Sequence, residues 1–420
     1  MFFIRFISRL LARILFRLRI HGGGVLDTPG PVLLIPNHVS WFDWWLVGLC
    51  VGDDWRFVTS ASRADSHWMF RFMMVNRYTF PVDHASPFAM KEMANFLQGG
   101  GRLILFAEGR ISETGCLMKL FEGTGFLLHK TEAKVITCHL RNALRLPWSR
   151  HPGWKQCFPR LSVHFSTVLQ PPVGNFSGSS DVREALTQWL RERMIEHQFQ
   201  VEMDHGHGDV LTEIASKARQ RPGTVVLEDV TGQALNHRMV MVGAEVLGGA
   251  FRRRLDDKQV RVGVLLPNVN GTAISLLALW RIGKIPAVLN YSNGVPVMLT
   301  CAELAGLKQV ITSRVFLAKA KLGVAPMEAA GIEFVYLEDI RKNISGLAKL
   351  GVLLKHRLAL GRARFNIPPG ETAVILFTSG SEGVPKGVEL THRNILANLR
   401  QLFSAVDLVD SDSLFNCLPM

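Results

Sequence analysis

Apolar and polar positions follow two different periods along the first 200 residues. Short, continuous apolar runs have the length of buried strands, whereas longer stretches repeat apolar residues at helical spacing. The predicted strands are residues 31–35, 103–107, 134–139 and 160–165. The predicted helices are residues 87–97, 122–129 and 181–198. Strands that alternate with helices predict an α/β domain.

The same alternation resumes in the second half of the chain. The predicted elements are helices at residues 237–255 and 273–280 and strands at 261–266 and 373–377. The polar, glycine-bearing segment Met203–Asp209 separates the two halves and is typical of a linker. We therefore predict two α/β domains, residues 21–202 and 211–420, joined by a linker at residues 203–210.

The first 20 residues form a separate pattern, in which bulky apolar residues alternate with arginines. Arg5, Arg9, Arg13 and Arg17 are spaced so that they follow one side of a helix. We expect this helix to lie in a bilayer interface, with its arginines at anionic headgroups and its apolar side chains at the acyl boundary. It should not span the membrane, because arginine interrupts every apolar stretch before about 18 residues. The alternatives are a helix packed on its own domain and an arginine-rich transit peptide.

The net charge of the chain indicates which classes of partner it would bind. A formal net charge of +13 would attract phosphates, whether in nucleic acid, anionic lipid or an acidic carrier protein. The sequence contains no zinc-finger spacing, aromatic RNA-binding signature or basic recognition helix, so we do not expect nucleic acid as a partner. The six cysteines stand singly, which fits a reducing compartment. His205 and His207 have no further ligands near them in sequence, so we expect a solvated linker there and no bound metal.

A candidate general base follows the first predicted strand. The segment Asn37–Asp43 reads NHVSWFD and places His38 at the start of a predicted helix. Neutral histidine is well matched to removing a proton from a hydroxyl group near pH 7. Asp43 lies about one and a half helical turns away, or is brought round by a bend, and can accept a hydrogen bond from the second ring nitrogen. Such a carboxylate would fix the tautomer of the base.

A glycine turn with a cation follows the second predicted strand, in the segment FAEGRIS at residues 106–112. Arg110 can hold a phosphate through two parallel hydrogen bonds, and Gly109 lets the main chain approach it closely. Glu108 can orient Arg110 or a substrate hydroxyl. An isolated histidine and aspartate at this spacing would carry little information. Their coincidence with this turn predicts acyl transfer to a phosphorylated alcohol.

These two segments resemble the NHxSxxD and FPEGxRS-like blocks of the glycerolipid acyltransferase family, over roughly residues 20–200. In that family the histidine and aspartate act as a catalytic dyad, which the resemblance assigns to His38 and Asp43. The resemblance assigns the glycerol phosphate of the acceptor to Glu108, Gly109 and Arg110. It implies a glycerolipid-acyltransferase-like α/β domain that needs no cofactor.

A second loop rich in hydrogen-bond donors follows the predicted strand at residues 373–377. Three glycines expose main-chain amides, hydroxyl groups donate, and Lys386 adds a positive charge, so the loop suits a polyphosphate. The candidate nucleotide-binding residues are Thr378, Ser379, Gly380, Ser381, Glu382, Gly383, Lys386 and Gly387. A surface hairpin without a ligand is the alternative.

This loop resembles the signature of the adenylate-forming enzymes, the acyl-CoA synthetase and luciferase superfamily, over about residues 210–420. The resemblance implies the N-terminal part of an adenylate-forming α/β domain, which would use ATP and Mg2+ if complete. Relatives continue past the equivalent of Met420 into further nucleotide-binding motifs. We therefore expect no adenylation by the sequence as given.

The two modules together resemble a bacterial family of bifunctional enzymes in phospholipid metabolism. That resemblance implies transfer of a fatty acyl group from acyl carrier protein to a lysophospholipid, 2-acylglycerophosphoethanolamine, at the cytoplasmic face of the inner membrane. One rival function is acylation of 1-acylglycerol-3-phosphate or glycerol-3-phosphate. The other is a non-catalytic, membrane-docked fragment that binds acyl carrier protein.

Overall fold

The structure is a computed structural model that describes residues 2–60, 78–82, 87–172, 179–358, 365, 367–379 and 384–416. The chain divides into two compact units. The first runs to His205 and includes Arg400–Ser413, and the second comprises Gly206–Leu399 with the residues from Leu414 onward. Both are mixed α/β structures, which confirms the predicted fold class.

The first unit is built on a seven-stranded sheet. Its strands are β1 (Arg19–His21), β2 (Val32–Pro36), β3 (Trp55–Ser60), β4 (Thr79–Val82), β5 (Arg102–Ile104), β6 (Lys134–Arg141) and β7 (Ser162–Phe165). Their order across the sheet is β1-β7-β6-β2-β5-β3-β4. All neighbouring pairs are parallel except β6 and β7, which are antiparallel.

Helices cover the sheet of the first unit. They are α1 (Phe2–Leu15), α2 (Asp43–Gly48), α3 (Pro87–Gln98), α4 (Glu122–Thr131) and α5 (Ser179–His205). Strand β2 shows why the strands of this sheet are continuous apolar runs in the sequence. Val32 and Leu34 belong to one hydrophobic core, Leu33 and Ile35 to another, and all four side chains are fully buried. A strand covered on both faces has no position that favours a polar residue.

The second unit contains a six-stranded sheet of order β13-β12-β10-β11-β14-β15. Its strands are β10 (Arg261–Val264), β11 (Ile285–Val288), β12 (Gln309–Thr312), β13 (Glu333–Tyr336), β14 (Thr372–Ser379) and β15 (Pro385–Thr391). All pairs are parallel except β14 and β15. A separate two-stranded sheet pairs β8 (Val225–Glu228) with β9 (Ala234–Asn236).

The helices that follow α5 are α6 (Val210–Gln220), α7 (His237–Arg254), α8 (Asn270–Arg281), α9 (Gly294–Leu304), α10 (Arg314–Lys319), α11 (Ala325–Ala329), α12 (Leu337–Lys342), α13 (Gly346–Arg357) and α14 (His392–Ala405). Several begin at a side-chain cap. The carboxylate of Asp209, for example, accepts a hydrogen bond from the amide of Thr212 and so starts α6. Asn236 caps α7 in the same way.

Two helix ends differ from the sequence prediction. Helix α5 ends at His205 instead of near residue 198, so the first three residues of the expected linker are helical. Helix α1 ends at Leu15 instead of residue 20, and Arg19 and Ile20 belong to strand β1. Within the described ranges, none of the helices combines the length and apolarity that a bilayer crossing requires.

Candidate functional site

The candidate site forms where two neighbouring parallel strands end. Strands β2 and β5 pair in parallel, so the segments that follow them emerge at the same edge of the sheet. The carbonyl of His38 accepts a hydrogen bond of 2.7 Å from the amide of Ser112. The rings of His38 and Phe106 lie 4.4 Å apart between their centroids. The fold thus brings the two sequence motifs into contact.

Asp43 organises the loop that carries the base. Its side chain is fully buried, and its Oδ2 atom accepts hydrogen bonds from the amides of Val39 (2.6 Å) and Ser40 (2.8 Å). The same oxygen lies 2.9 Å from Nδ1 of His38. A carboxylate that accepts from Nδ1 leaves Nε2 of the neutral ring with a free lone pair. In this arrangement Nε2 of His38 can accept a proton, as the predicted general base requires.

The expectation that His38 opens a helix is wrong. Residues 37–42 form a loop, and helix α2 begins at Asp43. The Asp43 carboxylate accepts hydrogen bonds from the main-chain amides that precede the helix, and these hydrogen bonds compete with helix formation there. The chain therefore bends around the carboxylate. This bend, and not a helical turn, brings His38 to the carboxylate.

Burial works against ionisation of Asp43. Desolvation raises the pKa of Asp43 above its ordinary value, and the hydrogen bond from His38 and the amides of Ser40 and Val39 oppose that rise. Its Oδ1 atom is buried and accepts no hydrogen bond within the described part of the chain. The carboxylate therefore depends on its contacts through Oδ2, of which the histidine is one.

Glu108 holds the main chain of the base in place. Its side chain is buried, with Oε1 accepting from the amide of His38 (2.8 Å) and Oε2 from the amide of Met118 (3.0 Å). Burial raises the pKa of Glu108 to about 7, although both amide hydrogen bonds lower it. The sequence suggested that Glu108 orients Arg110 or binds the acceptor. In the structure both of its oxygens bind main-chain amides, so it positions His38.

Gly109 and Arg110 form the turn after Glu108. Gly109 has a φ of +66°, and a Cβ atom there would lie 2.6 Å from Cε2 of Phe121, so the turn needs glycine. Arg110 is exposed, and it lies between Glu108 and Ser112, which both contact the main chain of His38. A phosphate held by Arg110 would therefore be bound beside the base. That role stays a prediction.

Two residues inside the motifs carry structural roles that sequence reasoning missed. The side-chain oxygen of Asn37 accepts a hydrogen bond of 2.7 Å from the amide of Leu140 and so ties the loop to β6. The hydroxyl of Ser112 is buried, donates to the carbonyl of Cys116 (2.9 Å) and accepts from the amide of Gly115 (3.0 Å). The sequence feature that could have identified these two residues is their position within the two motifs.

The second candidate site lies at a hairpin of the second unit. Strands β14 and β15 are antiparallel, with Thr378 paired to Lys386, and Ser379 to Pro385. Thr378, Lys386 and Gly387 are exposed. The predicted residues Gly380, Ser381, Glu382 and Gly383 lie outside the described residues. The hairpin thus places a hydroxyl and an ammonium group opposite each other where the two strands enter the loop.

Comparison with known proteins assigns each half of the chain separately. Residues 17–141 match the family model described as "Acyltransferase", and residues 214–420 match the one described as "AMP-binding enzyme". The chain therefore combines an acyltransferase domain with an adenylate-forming domain. The first match contains both motifs that meet at His38, and the second contains the hairpin loop.

The curated relatives are larger proteins, and each matches this chain over only part of its own length. A hybrid PKS-NRPS synthetase from an Acremonium species is 26% identical over 199 residues, which are 46% of this chain and 4% of that protein. A probable CoA ligase from Humulus lupulus is 24% identical over 229 residues, 52% of this chain and 40% of its own length. A 4-chlorobenzoate–CoA ligase from an Arthrobacter species is 28% identical over 187 residues, 43% and 33% respectively. The chain thus spans well under half the length of these relatives.

Solved structures align with a similar share of this chain. The N-terminal subdomain of NpsA from Klebsiella oxytoca, in complex with 3-hydroxybenzoyl-AMSN, has a TM-score of 0.36 and 18% identity, and the alignment covers 45% of this chain and 42% of that one. O-succinylbenzoate Coenzyme A synthetase from Bacillus subtilis, in complex with AMP, has a TM-score of 0.34 and 17% identity, with coverage of 42% and 41%.

Proposed function

We propose that the chain is a phospholipid-remodelling O-acyltransferase that moves a fatty acyl group from acyl carrier protein to 2-acylglycerophosphoethanolamine. It would correspond to a bifunctional acyl-[acyl-carrier-protein] synthetase/2-acylglycerophosphoethanolamine acyltransferase, with the acyltransferase activity in the first domain. The observation that carries the proposal is the 2.9 Å contact between Nδ1 of His38 and Oδ2 of Asp43, in a loop that Glu108 holds against the glycine turn.

The proposed reaction is a direct transfer between two substrates. Nε2 of His38 takes the proton from the acceptor hydroxyl as the hydroxyl oxygen attacks the thioester carbonyl. Asp43 stabilises the resulting imidazolium through its contact with Nδ1. When the tetrahedral intermediate collapses, the C–S bond breaks and the proton passes to the departing sulfur of the carrier. The enzyme forms no covalent intermediate and needs no cofactor for this step.

Arg110 is the proposed ligand of the acceptor phosphate. Its side chain is exposed and extends from the turn that contacts the main chain of His38. A guanidinium group binds a phosphate through paired hydrogen bonds, which orients the substrate as well as attracting it. The same chemistry would bind a phosphodiester or a phosphomonoester, so the headgroup must be identified by experiment.

An exposed apolar face on α1 supports membrane association. Arg5 forms an ion pair of 2.8 Å with Asp53, and Arg9 donates to the carbonyl of Leu49, so these two arginines contact the unit itself. The exposed apolar residues of the helix are Phe6, Ile7, Leu10, Leu11, Ile14 and Leu15. We propose that this face enters the acyl boundary of the cytoplasmic leaflet of the bacterial inner membrane, as the sequence predicted for the apolar side of the helix.

Exposed tryptophans lie in the same unit beside the base. Trp41 and Trp44 are close to His38 in the loop and first turn that Asp43 organises, and both are more than two-fifths exposed. Trp148, exposed to a similar extent, packs its ring 4.3 Å from that of Phe42. Tryptophan favours the membrane interface. A lysophospholipid that stays in the leaflet could therefore present its hydroxyl to His38.

For the second domain we propose activation of a fatty acid with ATP and Mg2+, if that domain is complete, to supply the acyl carrier protein thioester. The exposed hydroxyl of Thr378 and the ammonium of Lys386 suit the phosphates of a nucleotide. The positive net charge of the chain would help to recruit an acidic carrier protein.

Competition between acceptors tests the proposal. Purified protein receives radiolabelled acyl carrier protein thioester with equal concentrations of 2-acylglycerophosphoethanolamine, 1-acylglycerol-3-phosphate and glycerol-3-phosphate. We expect the ethanolamine lipid to be acylated preferentially, and Arg110→Ala to raise its KM by about tenfold, the scale of one charged hydrogen bond. Lys119→Ala, which removes an exposed cation of the same unit, is the matched control. Preference for either phosphomonoester would overturn the headgroup assignment.

A further inference from the structure

Three histidines that lie far apart in sequence meet in the first unit. They are His21 on β1, His164 on β7 and His205 at the end of α5, and one ring nitrogen of each lies within 4.8 Å of the others. The rings of His21 and His164 are stacked, with centroids 4.5 Å apart and planes within 2° of each other. The ring of His205 lies 4.4 Å from both.

The fold enforces this convergence. Strands β1 and β7 are parallel neighbours, and His21 is the register partner of His164, so both side chains lie on the same face of the sheet. His164 is buried, His21 is half-buried and His205 is exposed. The sequence predicted a helix at the position of β1 and a linker at His205. Neither element was therefore expected to bring a histidine to β7.

A hydrogen bond within the cluster orients the ring of His164. Neutral imidazole nitrogen is the form that binds a metal ion. Nε2 of His164 shares a hydrogen bond of 2.8 Å with the hydroxyl of Ser162, and such a bond fixes the orientation of a metal-ligating ring.

We propose that His21, His164 and His205 form a zinc site that fastens strand β1 and the end of helix α5 to strand β7. Three neutral histidines with one remaining position for water form a tetrahedral ligand set for Zn2+. Zinc–nitrogen bonds of about 2.1 Å place ligand nitrogens about 3.4 Å apart, so the rings must close by about 1 Å or more. Imidazole lone pairs lie in the ring plane, so the stacked rings of His21 and His164 cannot both direct a nitrogen at one ion as they stand. We expect the half-buried His21 to turn out of the stack, and the exposed His205, the last residue of its helix, to rotate toward His164.

We assign the proposed zinc a stabilising role because of its position, although three protein ligands with an open fourth position are also the arrangement of catalytic zinc centres. None of its ligands belongs to the His38 motif, and the three ligands come from the first strand, the last strand and the closing helix of the unit. A bound ion would add a direct link between β1 and the end of α5, beyond the packing of Ala12, Phe16 and Leu18 in the core. Metal bound only by the folded state stabilises that state in proportion to the logarithm of metal concentration.

Metal titration of the intact chain tests the site. Tag-free protein is stripped with a chelator and titrated with Zn2+ by calorimetry, and with Co2+ as a spectroscopic probe. We expect one saturable zinc per chain, a rise in melting temperature with zinc, and the visible absorption of tetrahedral Co2+. Acyl transfer should need no added zinc, because the site does not contact the base.

Variants distinguish this site from weak surface binding. His21→Ala and His205→Ala alter side chains that are at least partly exposed, so both should fold, as circular dichroism would verify. Each should weaken zinc binding by at least about tenfold and abolish the Co2+ signal. His129→Ala, which removes an exposed histidine on α4, is the matched control and should bind like the wild type. Absence of saturable binding, or binding unchanged in both cluster variants, would show that the histidines are only a stack of neutral rings.

Discussion

Oδ2 of Asp43 lies 2.9 Å from Nδ1 of His38, and this one oxygen also accepts the amides of Val39 and Ser40. Three contacts that orient the base thus converge on a single atom, while Oδ1 of the same carboxylate is buried without a hydrogen bond in the described part of the chain. The Asp43 carboxylate therefore both shapes the loop and supplies the negative charge beside the histidine. Substitutions can separate these two contributions.

Asp43→Asn should keep the loop and lose the charge. The amide oxygen of asparagine can occupy the position of Oδ2 and accept the same three hydrogen bonds. The NH2 group would then take the position of Oδ1, which accepts no hydrogen bond from the described residues. Because the imidazolium formed during transfer loses its counter-charge, we expect kcat to fall by at least about tenfold. Circular dichroism should show a wild-type fold. Wild-type kcat in a folded variant would mean that the carboxylate only shapes the loop.

Asp43→Ala extends this comparison. It removes the acceptor of the Val39 and Ser40 amides as well as the charge, and each buried donor left without a partner costs about 1–3 kcal/mol. We therefore expect a larger loss of unfolding free energy than in Asp43→Asn. Denaturant titration of both variants measures the difference.

His38→Ala separates an enzyme from a membrane-docked binding protein. We expect acyl transfer to fall by at least about a hundredfold, the usual scale for the loss of general-base assistance. Sedimentation with vesicles should be unchanged, since the exposed apolar face of α1 is intact. His129→Ala on α4 is the control for removal of a histidine. Activity equal to that of the wild type would remove the proposed mechanism.

Glu108 should make stability depend on pH in a defined window. The pKa of its buried carboxyl is raised from about 4.5 to about 7 in the folded state. Between these values the unfolded chain has lost a proton that the folded chain retains, so the group's contribution to stability falls as pH rises, by about 3 kcal/mol in all. Denaturant titrations at pH 5, 6, 7 and 8 measure this trend.

Glu108→Gln should remove that trend because its side chain does not titrate. The unfolding free energy of the wild type, relative to that of the variant, should therefore fall from pH 5 to pH 8. Glu122→Gln, which removes an exposed carboxylate from α4, should keep the wild-type slope. The buried-acid assignment fails if the Glu108 variant retains the same slope too.

Gly109 and Gly100 form a matched pair for testing the phosphate turn. Both have positive φ values, +66° and +83°, so alanine at either position should cost about 1–2 kcal/mol of backbone strain. A Cβ atom at Gly109 would also lie 2.6 Å from Phe121, whereas nothing lies within 4 Å of one at Gly100. We expect Gly109→Ala to lose at least as much stability as Gly100→Ala, and only Gly109→Ala to raise the acceptor KM, because it displaces Arg110. An equal effect on KM would argue against a phosphate site in the turn.

The sequence was most informative where burial alone determines the structure. Strand β2 was predicted to within one residue at each end, because its side chains are covered on both faces and must all be apolar. The two motifs meet in the structure because parallel strands β2 and β5 end at one edge. The partners of Glu108 could not be predicted, because both are main-chain amides whose positions follow from the folded loop.

Local hydrogen bonding and long-range pairing explain what the sequence did not predict. His38 lies in a loop because the Asp43 carboxylate binds the preceding amides in place of helical carbonyls. The histidine cluster depends on β1 pairing with β7, a contact between segments about 140 residues apart. Periodicity reports which face of an element is buried, but not which distant element covers it.

The apolar side of α1 faces outward, as a helix in the bilayer interface requires, but Arg5 and Arg9 contact the unit instead of being free for lipid headgroups. Leu10 and Ile14 are 47% and 63% exposed. Leu10→Glu and Ile14→Glu should therefore weaken binding to vesicles of phosphatidylethanolamine and anionic lipid by about tenfold or more, the scale of one buried apolar side chain. Phe88→Glu on α3 changes a residue that is 70% exposed and is the control. Equal losses in all three variants would assign the effect to added negative charge instead of to α1, and no loss in any would exclude α1 as the membrane contact.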